Sequence, residues 1–252
     1  MPVTAHALLN RVCDEYRAIL GSKLTGVYLH GSLVFGCFTW ATGDIDFLVV
    51  VEEALTQAEK EALIRVLLDM TPDAPPKGFE MSVVLRRDCD PVVHPVPFEL
   101  HFSNAHKARA EAELSAYCRD MHGVNPDLAA HFMVTRAVGQ AVYGPPVKAV
   151  FGEVPRSAYV DSILCDVENA AADIAGNPVY ITLNLCRVLA YVQEDLVLSK
   201  EQGGQWGLAH LPAAYHPLLQ GTLAAYAGAE CPAFTGLECF AAEMLRRIRT
   251  LI

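Results

Sequence analysis

Five consecutive apolar residues, Phe47-Leu48-Val49-Val50-Val51, follow directly on Asp44-Ile45-Asp46. A run this short and this rich in β-branched types reads as a strand, and its lack of polar alternation requires cover on both faces. A second short run, Gly26-Val27-Tyr28-Leu29-His30, stops at Gly31-Ser32 and reads as another central strand. Apolar spacing of 3 to 4 residues predicts amphipathic helices before and after this pair, over 4–20 with Thr4 as N-cap and over 56–69. Beyond a Pro-rich loop at 71–78, two further strands are expected at 79–86 and 98–102, separated by the proline-marked loop 90–97.

From Ser103 onward strand signals disappear, and the remainder reads as helices broken at Gly and Pro. The last helix of the first part is expected over 127–143, and the Gly/Pro-bearing stretch 152–155 reads as a boundary. The expected organisation is α+β: a mixed sheet with helices over 1–155, then an all-helical bundle over 156–252.

Apolar residues are 52% of the 252 and charged residues 19%, a composition that folds. A formal net charge of −10 argues against non-specific nucleic-acid and anionic-membrane binding, and favours a cationic small molecule as partner. No apolar stretch reaches the roughly 18 residues of a membrane span. The start, Met1-Pro2-Val3-Thr4-Ala5-His6, lacks the basic and apolar regions of a secretory signal, so a cytoplasmic enzyme is expected. Eight scattered cysteines, with no C-x-x-C pair, read as reduced and mostly packed thiols.

The chemistry is concentrated in Gly31-Ser32 and, after an eleven-residue spacer, Asp44-Ile45-Asp46. On a strand, residues i and i+2 face the same way about 6.6 Å apart, so Asp44 and Asp46 present two carboxylates side by side where a buried strand begins. Divalent Mg²⁺ relieves the cost of such a pair and suits displacement at phosphorus. Gly31 allows close backbone approach to a phosphate, and Ser32 offers N–H and hydroxyl donors to its oxygens. A nucleoside-triphosphate site, with ATP and Mg²⁺, is the expectation.

The Gly-Ser, spacer, Asp-x-Asp pattern between two strands resembles the nucleotidyltransferase superfamily related to polymerase beta. In the second half, residues 178–188, Leu198-Ser199-Lys200-Glu201, Gln205-Trp206-Gly207-Leu208 and Leu211-Pro212 resemble the helical C-terminal domain of the streptomycin and spectinomycin adenylyltransferases. That resemblance implies transfer of AMP from ATP to a hydroxyl of an aminoglycoside-like acceptor, with ATP held between the two domains. It implies that Ser32 holds the triphosphate, that Asp44 and Asp46 ligate magnesium, and that Glu80 is the catalytic base. It also places Arg187 and Lys200 on the ATP phosphates and Tyr226 near the nucleotide. Glu99, which opens another expected strand, is the rival base.

Two departures bear on the acceptor. The streptomycin-active pattern has a Trp in the segment after the 98–102 strand and an acid before the helix at Pro178; residues 103–110 contain no Trp, and position 177 is Asn. Spectinomycin is therefore favoured over streptomycin. Acidic candidates for a cationic acceptor are Glu99, Asp161, Asp166, Glu168, Asp173 and Glu194. The alternatives are the same chemistry on a protein or other non-antibiotic acceptor, or a non-catalytic nucleotide-binding module. His30 and His101 are read as structural.

Overall fold

The computed structural model describes residues 4–252, so Met1 to Val3 of the expected start lie outside it. Helix α1 (Ala5–Leu20) is opened by Thr4, whose hydroxyl accepts the Ala7 N–H at 3.2 Å, and it leads into β1 (Leu24–Leu29). A one-turn helix α2 (Ser32–Phe35) and a loop precede β2 (Ile45–Val51). Next come α3 (Gln57–Met70), β3 (Phe79–Leu85) and the short α4 (Arg86–Cys89). The strand expected at 98–102 is two short ones, β4 (Val96–Phe98) and β5 (Leu100–Phe102), interrupted at Glu99. Helices α5 (Lys107–Ala112) and α6 (Leu114–Asp120) follow.

Two strands lie beyond Ser103, where only helices were expected. β6 (Gly123–Asn125) pairs antiparallel with β4. The helix expected over 127–143 is α7 (Leu128–Val138), which ends where the Gly139 N–H meets the Thr135 carbonyl; β7 (Gln140–Tyr143) then pairs antiparallel with β1. Strands of three or four residues carry no readable period, and their stability comes from a partner strand far away in sequence. A one-turn helix α8 (Val147–Val150) closes the region.

The main sheet has the order β5-β3-β2-β1-β7. It is mixed: β2 and β3 run parallel, and the other neighbours are antiparallel. Alternate residues of the central strands separate two environments. Val27, Leu29, Ile45, Phe47, Val49, Val51, Phe79, Met81, Val83 and Leu85 join buried residues of α1, α3 and α6 in one apolar core. Tyr28, Leu48, Val50 and Val84 face the other way and are also buried. On that second side the ring of Phe151 lies 5.0 Å from both Tyr28 and Phe132 of α7. The apolar run in β2 is thus explained by cover on both faces.

Residue contacts separate a first unit ending at Ala158 from a second, Tyr159–Ile252, with the division inside α9 (Arg156–Cys165). The second unit continues with α10 (Ala170–Asp173), α11 (Pro178–Glu194), α12 (Lys200–His210), α13 (His216–Tyr226) and α14 (Leu237–Leu251). Helix α11 is its centre, packed against α12, α13 and α14. Glycines bring α12 close to it: a Cβ at Gly203 would lie 3.0 Å from the Arg187 backbone, and one at Gly207 2.9 Å from Cys186 Sγ. No helix among the described residues is long and apolar enough to cross a membrane. None of the eight cysteines is in a disulfide; Cys13, Cys89, Cys118 and Cys186 are buried, whereas Cys165, Cys231 and Cys239 are exposed.

Candidate active site

Parallel pairing of β2 with β3 sets Asp46 directly opposite Glu80. Asp44 stands just before β2, and one carboxylate oxygen from each of Asp44, Asp46 and Glu80 lies within 4.8 Å of the others. All three side chains are half-buried, so their mutual repulsion is only partly screened. A donor set made wholly of carboxylate oxygens fits a hard divalent cation such as Mg²⁺.

The turn after β1 is built against this cluster. Gly31 has φ 70°, a conformation glycine adopts without strain, and a Cβ there would overlap the Asp46 carboxylate. The His30 N–H donates to the Asp46 carbonyl at 3.0 Å, which ties the end of β1 to the start of β2. Ser32 is the first residue of α2, and its Oγ is buried with no hydrogen-bond partner among the described residues. A buried hydroxyl without a partner is costly, and a phosphate oxygen would satisfy it.

The sequence reading missed Asp127 and His131. His131, on α7, has Nε2 3.2 Å from Asp127 Oδ2 and 3.8 Å from Glu80 Oε1. Burial alone would lower its pKa, but the carboxylates of Asp127, Glu80 and Asp46 outweigh this and raise it to about 9. The His30 ring is 4.8 Å from that of His131 and goes the other way: burial, then the neighbouring imidazolium, push it well below its usual value. The available signal was the i, i+4 spacing of Asp127 and His131 on one helix face. Nothing local linked that pair to Glu80.

Further along β3, Ser82 Oγ is 2.9 Å from His101 Nδ1. Burial, with His131 and His106 adding to it, lowers the His101 pKa to about 4. Glu99, the rival base, lies elsewhere. Its N–H donates to the Val83 carbonyl and its carboxylate accepts the Leu55 N–H at 3.2 Å. Val83 is three residues along β3 from Glu80, about 10 Å at strand rise.

Arg187, Lys200 and Tyr226 all belong to the second unit. Arg187 pairs with Asp166 at 3.3 Å and keeps a buried Nε with no hydrogen-bond partner among the described residues. Lys200 is the first residue of α12, behind a Ser199/Gln202 capping box, with Nζ 5.1 Å from the Tyr180 ring centroid. Tyr226 ends α13 and is half-buried. Of the acidic candidates for the acceptor, Asp166 is thus paired, and Glu194 accepts the Trp206 indole N–H at 3.1 Å.

Three clustered acids on and just before two adjacent parallel strands of a mixed sheet, beside a Gly-Ser turn, form the arrangement that the resemblance to nucleotidyltransferases implies. Residues 149–249 match the model of the aminoglycoside adenylyltransferase C-terminal domain. An aminoglycoside (3'') (9) adenylyltransferase of Klebsiella pneumoniae is 26% identical over 88% of this chain and 85% of its own. A spectinomycin 9-adenylyltransferase of Staphylococcus aureus is 27% identical over 84% and 81%. The fold is shared, at a TM-score of 0.81 and 20% identity, with a spectinomycin adenyltransferase from Enterococcus faecalis crystallised with ATP and spectinomycin; the match covers 98% of this chain and 100% of that one. Over most of its length the chain is similar to aminoglycoside and spectinomycin adenylyltransferases, and residues 149–249 carry the match to their C-terminal domain.

Proposed function

We propose that this enzyme transfers AMP from ATP to a hydroxyl of spectinomycin or a closely similar aminocyclitol, with release of pyrophosphate. The observation that carries the reading is the cluster of Asp44, Asp46 and Glu80 within 4.8 Å beside Gly31 and Ser32, in a chain whose relatives are adenylyltransferases. Asp44 and Asp46 would hold Mg²⁺, which when bound neutralises charge on the phosphate oxygens. Ser32 supplies its free hydroxyl to the triphosphate. Glu80 is the general base. The acceptor oxygen forms a bond to the α-phosphorus as its proton passes to the Glu80 carboxylate; the bond from that phosphorus to the bridging oxygen breaks, and pyrophosphate leaves with the electron pair. Arg187 and Lys200 as phosphate ligands, and Tyr226 near the nucleotide, rest on the family resemblance alone.

The absence of Trp in 103–110 and the presence of Asn177 support spectinomycin over streptomycin. The experiment is Mg²⁺-dependent pyrophosphate release from ATP with spectinomycin, streptomycin and other aminoglycosides as acceptors. Release with spectinomycin, abolished in Asp46→Asn with the fold intact by circular dichroism, is the expected result. An active Asp46→Asn enzyme would remove the metal assignment, and release with streptomycin alone would remove the acceptor assignment.

A further inference from the structure

Glu80 has a neighbour that the reaction as written does not use. The base must be aimed at the acceptor hydroxyl, and its carboxylate ends a side chain with several rotatable bonds, on a half-buried strand beside two other acids. Across from it, on the face of the sheet opposite the α1/α3 core, α7 brings His131. Asp127, at the N-cap of α7, grips the imidazole at 3.2 Å, and the same Nε2 stands 3.8 Å from Glu80 Oε1. The His30 ring, 4.8 Å away and itself buried, closes the other side of the imidazole. His131 is thus fixed from two directions and keeps one contact to spend on Glu80.

We infer that His131 is a positioning residue for the Glu80 carboxylate, held by Asp127 and acting on transfer only through Glu80. The inference rests on Glu80 as the base. Helix α7 then has a task in the reaction as well as in packing: Leu128, Ala129 and Phe132 bury it, and His131 carries its placement to the site. A 1 Å misplacement of a reacting group costs on the order of 100-fold in rate, whereas ATP affinity has no reason to change.

The test is a double-mutant cycle of His131→Gln and Glu80→Gln, read by pyrophosphate release with spectinomycin. His131→Gln preserves volume and can still donate to Asp127, but removes the rigid ring held beside Glu80. It is expected to lower kcat about 10- to 100-fold with KM for ATP within about twofold of wild type. In the Glu80→Gln background it should cost nothing further, a non-additivity that loss of packing would not produce. Wild-type kcat in His131→Gln with Glu80→Gln crippled, or additive losses in the double mutant, would overturn the inference alone. Glu80→Gln at the wild-type rate would overturn the base assignment and the inference with it. A crystal structure of His131→Gln gives a readout independent of the acceptor: a Glu80 carboxylate displaced from Asp44 and Asp46 supports the inference, and an unmoved one overturns it. Should His131→Gln fold poorly, Asp127→Asn loosens the same grip and is read in the same way.

Discussion

His30, His101 and His131 share one side of the first unit, and their charge states are set by what each ring faces. His131 looks at carboxylates and keeps its proton; His30 and His101 are buried against it and give theirs up. For His101 the consequence is a pH dependence of stability. Its folded pKa of about 4 lies below the unfolded value near 6.5, so the unfolded state binds the proton more readily between these values. Stability from this residue is complete above about pH 6.5 and falls as the pH drops towards 4, by at most about 3.5 kcal/mol at about 1.4 kcal/mol per unit. His101→Gln leaves a partner for Ser82 and removes the titration. Its urea-unfolding stability should therefore decline less than that of wild type between pH 6.5 and pH 4.5, and identical slopes would refute the assignment. Gly31 makes a different point at this scale: its missing side chain is what allows the backbone to lie against Asp46.

Among the elements, α3 shows how local chemistry and site chemistry are kept apart. Thr56 accepts the Glu59 N–H at 3.3 Å, while Glu59 accepts the Thr56 N–H at 2.7 Å, a complete capping box. Leu63, Ile64 and Leu67 then enter the core on the face of the sheet away from Asp46 and Glu80. Loss of such a cap costs about 1 kcal/mol, or about 2–4 °C in Tm for a chain of this size. Thr56→Ala should show that loss in a thermal melt with kcat unchanged; a fall in kcat would mean that the two faces are coupled through the sheet. Helix α7 is the contrasting element, since it packs on the other face and carries His131.

For the whole molecule, the net charge of −10 acts on diffusion of the acceptor. A cationic acceptor is drawn towards a negative protein, and salt screens that attraction over a Debye length of about 10 Å at 0.1 M. With ATP saturating, kcat/KM for spectinomycin should fall severalfold between about 0.02 and about 0.5 M NaCl while kcat holds. A flat profile would show that the acceptor is recognised without long-range steering. The two units add a second whole-chain property: the sheet carries the acid cluster, whereas the helical unit is a separately packed bundle around α11.

The amino-acid sequence by itself determined the central strands, most of the long helices, and the pairing of Asp44 with Asp46 where β2 begins; it left Glu80 and Glu99 as rivals. Each is written in a local pattern: an apolar run, a period near 3.6, carboxylates at i and i+2. Tertiary structure decided the rest. It alone separated Glu80 from Glu99, because two acids opening short strands look alike until register puts one opposite Asp46 and the other beside Leu55. It alone turned 140–143 from the tail of a helix into an edge strand, since the hydrogen bonds that hold those residues belong to β1, more than a hundred positions earlier. And it alone brought His131 to Glu80, because α7 reaches that face only when the sheet has formed beneath it. Local periodicity reports what a segment does with its own neighbours; a strand of four residues and a contact between distant side chains draw their free energy from partners that no window of sequence contains.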